Sequence, residues 1–210
     1  MPAIRPYADA PRLPPREGSA VGDVSLASLV SGGAFEVEIG PGRGGFILER
    51  ALARPELGIV GFEVRRKWAS IVDARLAKQG LRPRARVLAE DAKDALPRLA
   101  PDACVRCVFL HFPDPWWKKR HQKRLVMEPG LLDQIARLLV PHGELFIQTD
   151  VSERADQYEA LVRSDARFEA WGDTAETARL SHNPYDAQSP RERRAVVDGL
   201  PIHRLRFRRR

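Results

Sequence analysis

The stretch Phe35-Glu36-Val37-Glu38-Ile39-Gly40-Pro41-Gly42-Arg43-Gly44-Gly45 decides the fold. A short apolar run ends in a glycine-rich turn, and the turn opens a helical pattern from Gly45 to Ala53. At such a turn the backbone must bend sharply and let a ligand come close, which glycine permits because it has no side chain. Gly40, Gly42 and Gly44 are therefore candidate binding positions for a nucleotide-like molecule. The third glycine can be counted at Gly44 or Gly45, so the turn alone does not separate a nicotinamide dinucleotide from S-adenosylmethionine.

Outward from this unit, apolar runs at 58–64, 85–89, 104–111 and 144–149 read as further strands. Helical patterns fit between them at 67–78, which stops at Gly80, and at 131–140, where Leu131, Leu132, Ile135, Leu138 and Leu139 recur at helical spacing. Such alternation predicts an α/β fold with a doubly wound, mostly parallel sheet of the Rossmann-like kind, covered on both faces. Near the C-terminus Arg204, Arg206 and Arg208 alternate with Leu205 and Phe207, a period of two that predicts an antiparallel closing strand. Residues 1–34 carry Pro2, Pro6, Pro11, Pro14 and Pro15 and end in Gly32-Gly33, so they read as an extended arm ahead of a domain at 35–210.

With 210 residues the chain has the size of one domain, and 43% hydrophobic with 30% charged residues is the composition of a folded protein. No apolar run approaches the roughly 20 residues of a membrane span, and the first residues lack a secretory block, so a cytoplasmic protein without membrane contact is expected. Lys plus Arg exceed Asp plus Glu by 35 to 28, a net charge of +7 that favours a polyanionic partner. Cys104 and Cys107 have the C-x-x-C spacing of half a zinc site. They lie in a strand pattern where residues three apart face opposite ways, and there is no second pair, so no metal is expected.

Three carboxylates then weigh on the cofactor. Glu63, at the end of the second strand and 23 residues past Gly40, is placed to accept from both ribose hydroxyls of an adenosine. Asp91, after the third strand, can accept from the adenine amino group. Glu38 at the glycine turn would repel a pyrophosphate but suits the cationic methionine end of S-adenosylmethionine.

The fourth strand runs into His111-Phe112-Pro113-Asp114-Pro115-Trp116-Trp117-Lys118-Lys119-Arg120-His121-Gln122-Lys123-Arg124. Two prolines hold Asp114 in a stiff turn at the C-terminal edge of the sheet, where a carboxylate can accept from guanine N1 and N2 hydrogens. The tryptophans can stack on a base, and the five Lys or Arg residues from Lys118 to Arg124 can neutralise phosphates. Together they suit an RNA substrate.

These motifs resemble the bacterial tRNA (guanine-N7-)-methyltransferase family, whose F-P-D-P-W segment followed by K-x-R-H-x-K-R stands here as Phe112 to Trp116 and Lys118 to Arg124. The likeness covers about residues 35–210, with Glu38 to Gly44, Gly61-Phe62-Glu63, Glu90-Asp91-Ala92 and Gln148-Thr149-Asp150 in the family's order. It implies S-adenosylmethionine as methyl donor and a tRNA guanine, position 46 of the variable loop, as acceptor. It further implies that Glu38, Glu63, Asp91 and Asp114 line the donor site, that Asp114 is the catalytic position, and that Lys118 and Asp150 contact the substrate. Arg120, His121, Lys123 and Arg124 would meet the RNA. The family's closing T-x-x-E segment, which contributes to the substrate pocket, is matched by Ser189-Pro190-Arg191-Glu192, so the resemblance implies that Ser189 and Glu192 bind substrate beside the guanine; serine replaces threonine, and Pro190 is expected to stiffen a loop. The rival readings are an NAD-dependent dehydrogenase, a small-molecule methyltransferase and a non-catalytic RNA-binding protein with a nucleoside pocket. The first lacks a hydride-handling pair such as Tyr-x-x-x-Lys, the second has no use for Lys118 to Arg124, and the third has none for three ordered carboxylates. Monomer and homodimer are both compatible with the sequence.

Overall fold

A computed structural model describes residues 7–16, 22–113, 126–174 and 176–210. In chain order the elements are β1 (Val24–Ser25), α1 (Leu26–Leu29), β2 (Ala34–Ile39), α2 (Gly45–Ala53), β3 (Leu57–Phe62), α3 (Arg66–Lys78), β4 (Ala85–Leu88) and α4 (Ala92–Ala95). They continue with β5 (Leu99–Ala100), β6 (Val105–His111), α5 (Pro129–Leu138), β7 (Leu139–Thr149), α6 (Ser152–Arg163), β8 (Phe168–Ala170), β9 (Arg179–Leu180), α7 (Pro190–Val197) and β10 (His203–Arg209).

The main sheet has the order β4-β3-β2-β6-β7-β10-β8, with β9 also on β10. Pairings from β4 through β7 are parallel, and β10 is antiparallel to β7, so the expected closing strand is present. The chain winds from β2 outward to β4 and then returns to β6 on the other side of β2. The carboxyl ends of β2 and β6 therefore flank the switch point, where sheets of this kind leave a crevice for ligands.

Alternate residues of the central strands face two differently built layers. Val37 and Ile39 of β2, Val108 and Leu110 of β6, and Leu145 and Ile147 of β7 join α5 and α6 residues such as Ile135 and Val162 in the larger core. The residues between them are Glu36, Glu38, Cys107, Phe109, His111, Glu144, Phe146 and Gln148, which share the face covered by α2. Burial of Glu36 and Glu38 within a central parallel strand demands charged partners. Glu36 finds Arg50 of α2, whose Nε and Nη2 donate to its two oxygens at 2.9 and 2.8 Å, and the guanidinium lies over the Tyr185 ring at 5.3 Å. Cys104 packs against the larger core and Cys107 on the α2 side, and both are free thiols.

The arm is not wholly irregular. β1 pairs with β5 in parallel, and Val24, Leu26 and Val30 are buried. Ahead of it, Pro11 accepts from the Ala89 N–H at 2.6 Å, Leu13 donates to Glu90 Oε1 at 3.2 Å, and Arg98 holds the Pro14 carbonyl and Asp23. The arm thus follows the end of edge strand β4. No described helix is long and apolar enough to cross a membrane.

Candidate active site

The glycine turn is built as its sequence requires. Gly40, Gly42 and Gly44 all have φ between 54° and 72°, a region in which a side chain is strained. A Cβ at Gly44 would fall 2.2 Å from Val72 of α3, so this glycine lets helix and turn close together, whereas a Cβ at Gly40 would meet nothing within 4 Å. Space therefore lies at the turn where a ligand has to enter. Gly40 and Gly44 are tied back through the Phe62 and Pro41 carbonyls at 2.9 and 2.8 Å.

The three carboxylates stand at neighbouring strand ends. Glu63 leaves β3 with 5% of its surface exposed; its Oε2 accepts from the Gly42 N–H at 2.9 Å and its Oε1 from the Arg65 N–H at 2.8 Å. Two amides fix the group and occupy about half of its four acceptor sites. Asp91 caps α4, accepts from the Lys93 N–H at 3.0 Å and is otherwise exposed. Glu38 is 1% exposed and accepts from or shares a hydrogen with His111 Nδ1 at 3.0 Å, while its Oε2 has no partner among the described residues. A buried, half-paired carboxylate beside an open glycine turn fits the cationic methionine end of S-adenosylmethionine and is hostile to a pyrophosphate.

Ser189 is not in a stiff loop. It is the N-cap of α7, accepting from the Glu192 N–H at 3.1 Å, and Pro190 occupies the first helical turn, where its missing N–H costs nothing. Glu192 is fully buried and takes three donors: Gln148 Nε2 at 2.9 Å and Arg204 Nη2 at 3.1 Å on Oε1, and Asn183 Nδ2 at 2.9 Å on Oε2. A Cβ at Gly45 would lie 2.7 Å from the Pro190 ring, and Glu49 of α2 holds Arg193 and the Gln188 N–H. These contacts seat the start of α7 against the helix that the glycine turn opens. Asp150, at the exit of β7, pairs with Arg191.

The strand that leads to the remaining candidates ends abruptly. Phe112 has φ of 46° and donates its N–H to the Gln148 carbonyl at 2.7 Å, so the chain leaves β6 through a strained residue of the kind that clusters at functional sites. Asp114, Lys118, Arg120, His121, Lys123 and Arg124 lie outside the described residues.

Sequence reasoning did not single out His111, Gln148 or the Tyr185 that closes this layer. Tyr185 donates to Glu144 Oε2 at 2.6 Å, and burial, reinforced by the neighbouring Cys107 and Glu144, pushes its hydroxyl far above the usual range. Burial likewise pushes the Cys107 thiol well up, leaving it unreactive. The signal that was present is the alternation of Glu36 and Glu38 in a strand expected to be covered on both faces.

A family model described as a putative methyltransferase matches residues 33–205. The tRNA (guanine-N(7)-)-methyltransferase of Myxococcus xanthus is 38% identical over 179 residues, 83% of each chain. That of Anaeromyxobacter dehalogenans is 40% identical over 178 residues, 84% of this chain and 86% of the relative. Among solved structures, the 16S rRNA methyltransferase KamB superposes with a TM-score of 0.61 at 17% identity, covering 88% of this chain and 90% of its own. An S-adenosylmethionine-dependent O-methyltransferase of Thermotoga maritima does so with a TM-score of 0.52 at 18% identity, covering 88% and 62%. The structures share the fold, that of the S-adenosylmethionine-dependent class I methyltransferases. Identity at the level of the two sequence relatives, sustained along more than four fifths of both chains, makes this chain a member of the tRNA (guanine-N(7)-)-methyltransferase family.

Proposed function

We propose that the protein transfers a methyl group from S-adenosylmethionine to N7 of a guanine in tRNA, at position 46 of the variable loop, in the cytoplasm. The observation that supports this most is the gathering of Glu38, Glu63 and Asp91 with Asp150, Ser189 and Glu192 at one edge of the sheet. When bound, the cofactor supplies a methyl group on a positively charged sulfur. Guanine N7 already carries an in-plane lone pair, so no base has to remove a proton first. The residues therefore have to orient the two partners, and good orientation is worth on the order of 7 to 11 kcal/mol. Asp114 accepts from the guanine N1 and N2 hydrogens, Lys118 and Asp150 hold the rest of the nucleotide, and Glu192 with its cap Ser189 keeps Gln148 in place beside them. Incubating unmodified tRNA with labelled S-adenosylmethionine and mapping the label tests the proposal. Label at guanine 46 supports it, and label confined to another nucleotide contradicts it.

Glu63→Ala is expected to weaken S-adenosylmethionine binding by about 1.5 to 3 kcal/mol in calorimetry, because the ribose hydroxyls lose a charged acceptor. Binding as tight as in the parent protein would remove Glu63 from the ribose site. For the RNA side, neutralising two of Lys118, Lys119, Arg120, Lys123 and Arg124 is expected to flatten the slope of log affinity against log salt by about 1.4, at roughly 0.7 per phosphate contact on single strands. An unchanged slope would make the cluster a solvated face.

A further inference from the structure

Helix α3 carries charge of one sign on its outer face. Ala69, Val72, Asp73 and Leu76 turn inward, and the opposite side presents Lys67, Ala74, Arg75 and Lys78, all exposed, with Ser70 half-buried between them. The acidic residue of this helix, Asp73, is buried; it accepts from Arg86 Nε at 2.8 Å and from the Val87 N–H at 3.1 Å, so its charge is spent away from the outer face. Other helices match their cations. Arg137 of α5 pairs with Asp102, Arg163 of α6 with Glu159, and Arg191, Arg193 and Arg194 of α7 with Asp150, Glu49 and Asp198. Among the described residues, no carboxylate pairs with Lys67, Arg75, Lys78 or Arg43 of the glycine turn.

These cations are held in place. The Arg43 guanidinium and the Lys67 ammonium stand 5.3 and 5.7 Å from the centroid of the Trp68 ring, and Arg75 Nη1 donates to the Arg43 carbonyl at 3.2 Å. From Lys67 to Lys78 the row runs about 16 Å along the helix. Ser70 and Ala74 between them are too short to keep a polymer backbone away. The row starts just after Glu63, on the β3 side of β2, whereas residues 118–124 follow β6 on the other side.

We propose that the outer face of α3 is a further RNA-binding surface, which takes backbone phosphates of the tRNA outside the variable loop. The inference rests on tRNA being the substrate. Clustered cations without counter-charges favour a polyanion, and double-helical RNA is held mostly through its shape, its phosphates and its 2′-hydroxyls. A tRNA is far larger than the crevice at the switch point, so its body has to lie over neighbouring surface when one loop enters.

The test joins Lys67→Gln, Arg75→Gln and Lys78→Gln in one variant of the intact chain; all three side chains are exposed, and Arg43 is left as part of the glycine turn. Binding of unmodified tRNA is measured across a salt series. The slope of log affinity against log salt should flatten by about 2 to 3, at roughly 0.7 to 0.9 per lost phosphate contact. KM for tRNA should rise, while kcat and the dissociation constant of S-adenosylmethionine stay within about twofold, because the contacts are the same in ground and transition states. In parallel, a benzophenone side chain at Ala74 should crosslink to tRNA nucleotides outside the variable loop. An unchanged slope, or crosslinks absent or confined to the variable loop, would overturn the proposal and leave the face to another anionic partner. A parent protein that shows the expected slope change and crosslinks but methylates no guanine would overturn the proposed function and leave this surface standing; one that binds no tRNA would overturn both.

Discussion

Asp114→Asn is expected to lower the single-turnover methylation rate by about two to three orders of magnitude, the usual cost of removing one preorganised polar contact from a reacting centre. The amide turns a donor toward two guanine donors, so the base loses its anchor while N7 itself is chemically unchanged. Thermal unfolding is the control, and it should stay close to the parent value, because the substitution keeps the size and the shape of the side chain. If Asp114 orients the base without taking a proton, the rate profile of the parent enzyme shows no ionisation near neutral pH that vanishes in the variant. A variant with more than a tenth of the parent rate, roughly 1.4 kcal/mol of barrier or less, would contradict the assignment.

The largest expected effect on stability lies away from the reacting groups, in the pair formed by Glu36 and Arg50. Their side chains are 0% and 2% exposed, and the contact is bidentate. Glu36→Ala strands a guanidinium between the sheet and Tyr185, which should cost about 3 to 5 kcal/mol in urea unfolding. Replacing both partners with apolar residues of similar volume, as in Glu36→Leu with Arg50→Met, should recover most of that loss, since the charge is then no longer stranded. A loss below about 1 kcal/mol in the single variant would mean that water reaches Arg50 and that the layer under α2 is looser than its burial implies.

Legibility of the fold in the sequence followed the strength of local periodicity. Helix α2 was read at the residues where it stands, Gly45 to Ala53, because a glycine turn starts it and its apolar spacing is regular. The fifth expected strand, 144–149, is the end of an eleven-residue strand that begins at Leu139, and the helix before it stops at Leu138 and not at Val140. Pro141 disfavours helical geometry at Val140, and Leu139 is already extended with ψ of 137°. Ser189-Pro190-Arg191-Glu192 carried a legible helix start, a capping serine with proline in the first turn and an acidic residue three positions on. Pro190 does not break this helix, because in the first turn its missing N–H would have had no intrahelical partner.

The candidate site was legible only in part. Glu38, Glu63 and Asp91 could be placed because strand ends and the glycine turn fix their positions in the chain. Their partners could not: the contacts of Glu38 with His111, of Glu192 with Gln148, Asn183 and Arg204, and of Glu36 with Arg50 span 9 to 73 residues and depend on side-chain packing. The same holds for Pro11 and Leu13 just past the end of β4, where a proline-rich segment with no periodicity of its own is held by the Ala89 N–H and the Glu90 carboxylate.

The central claim is that the methyl group goes to the N7 lone pair of guanine, and one substrate isolates that atom. Two transcripts of the same tRNA, one with guanosine and one with 7-deazaguanosine throughout, should be incubated with the protein and labelled S-adenosylmethionine. Each is then digested to nucleosides. The account predicts label in 7-methylguanosine from the first transcript and none in the second, whose ring has carbon in place of N7. Label retained in the deaza transcript, or found in any nucleoside other than 7-methylguanosine in the first, would contradict it.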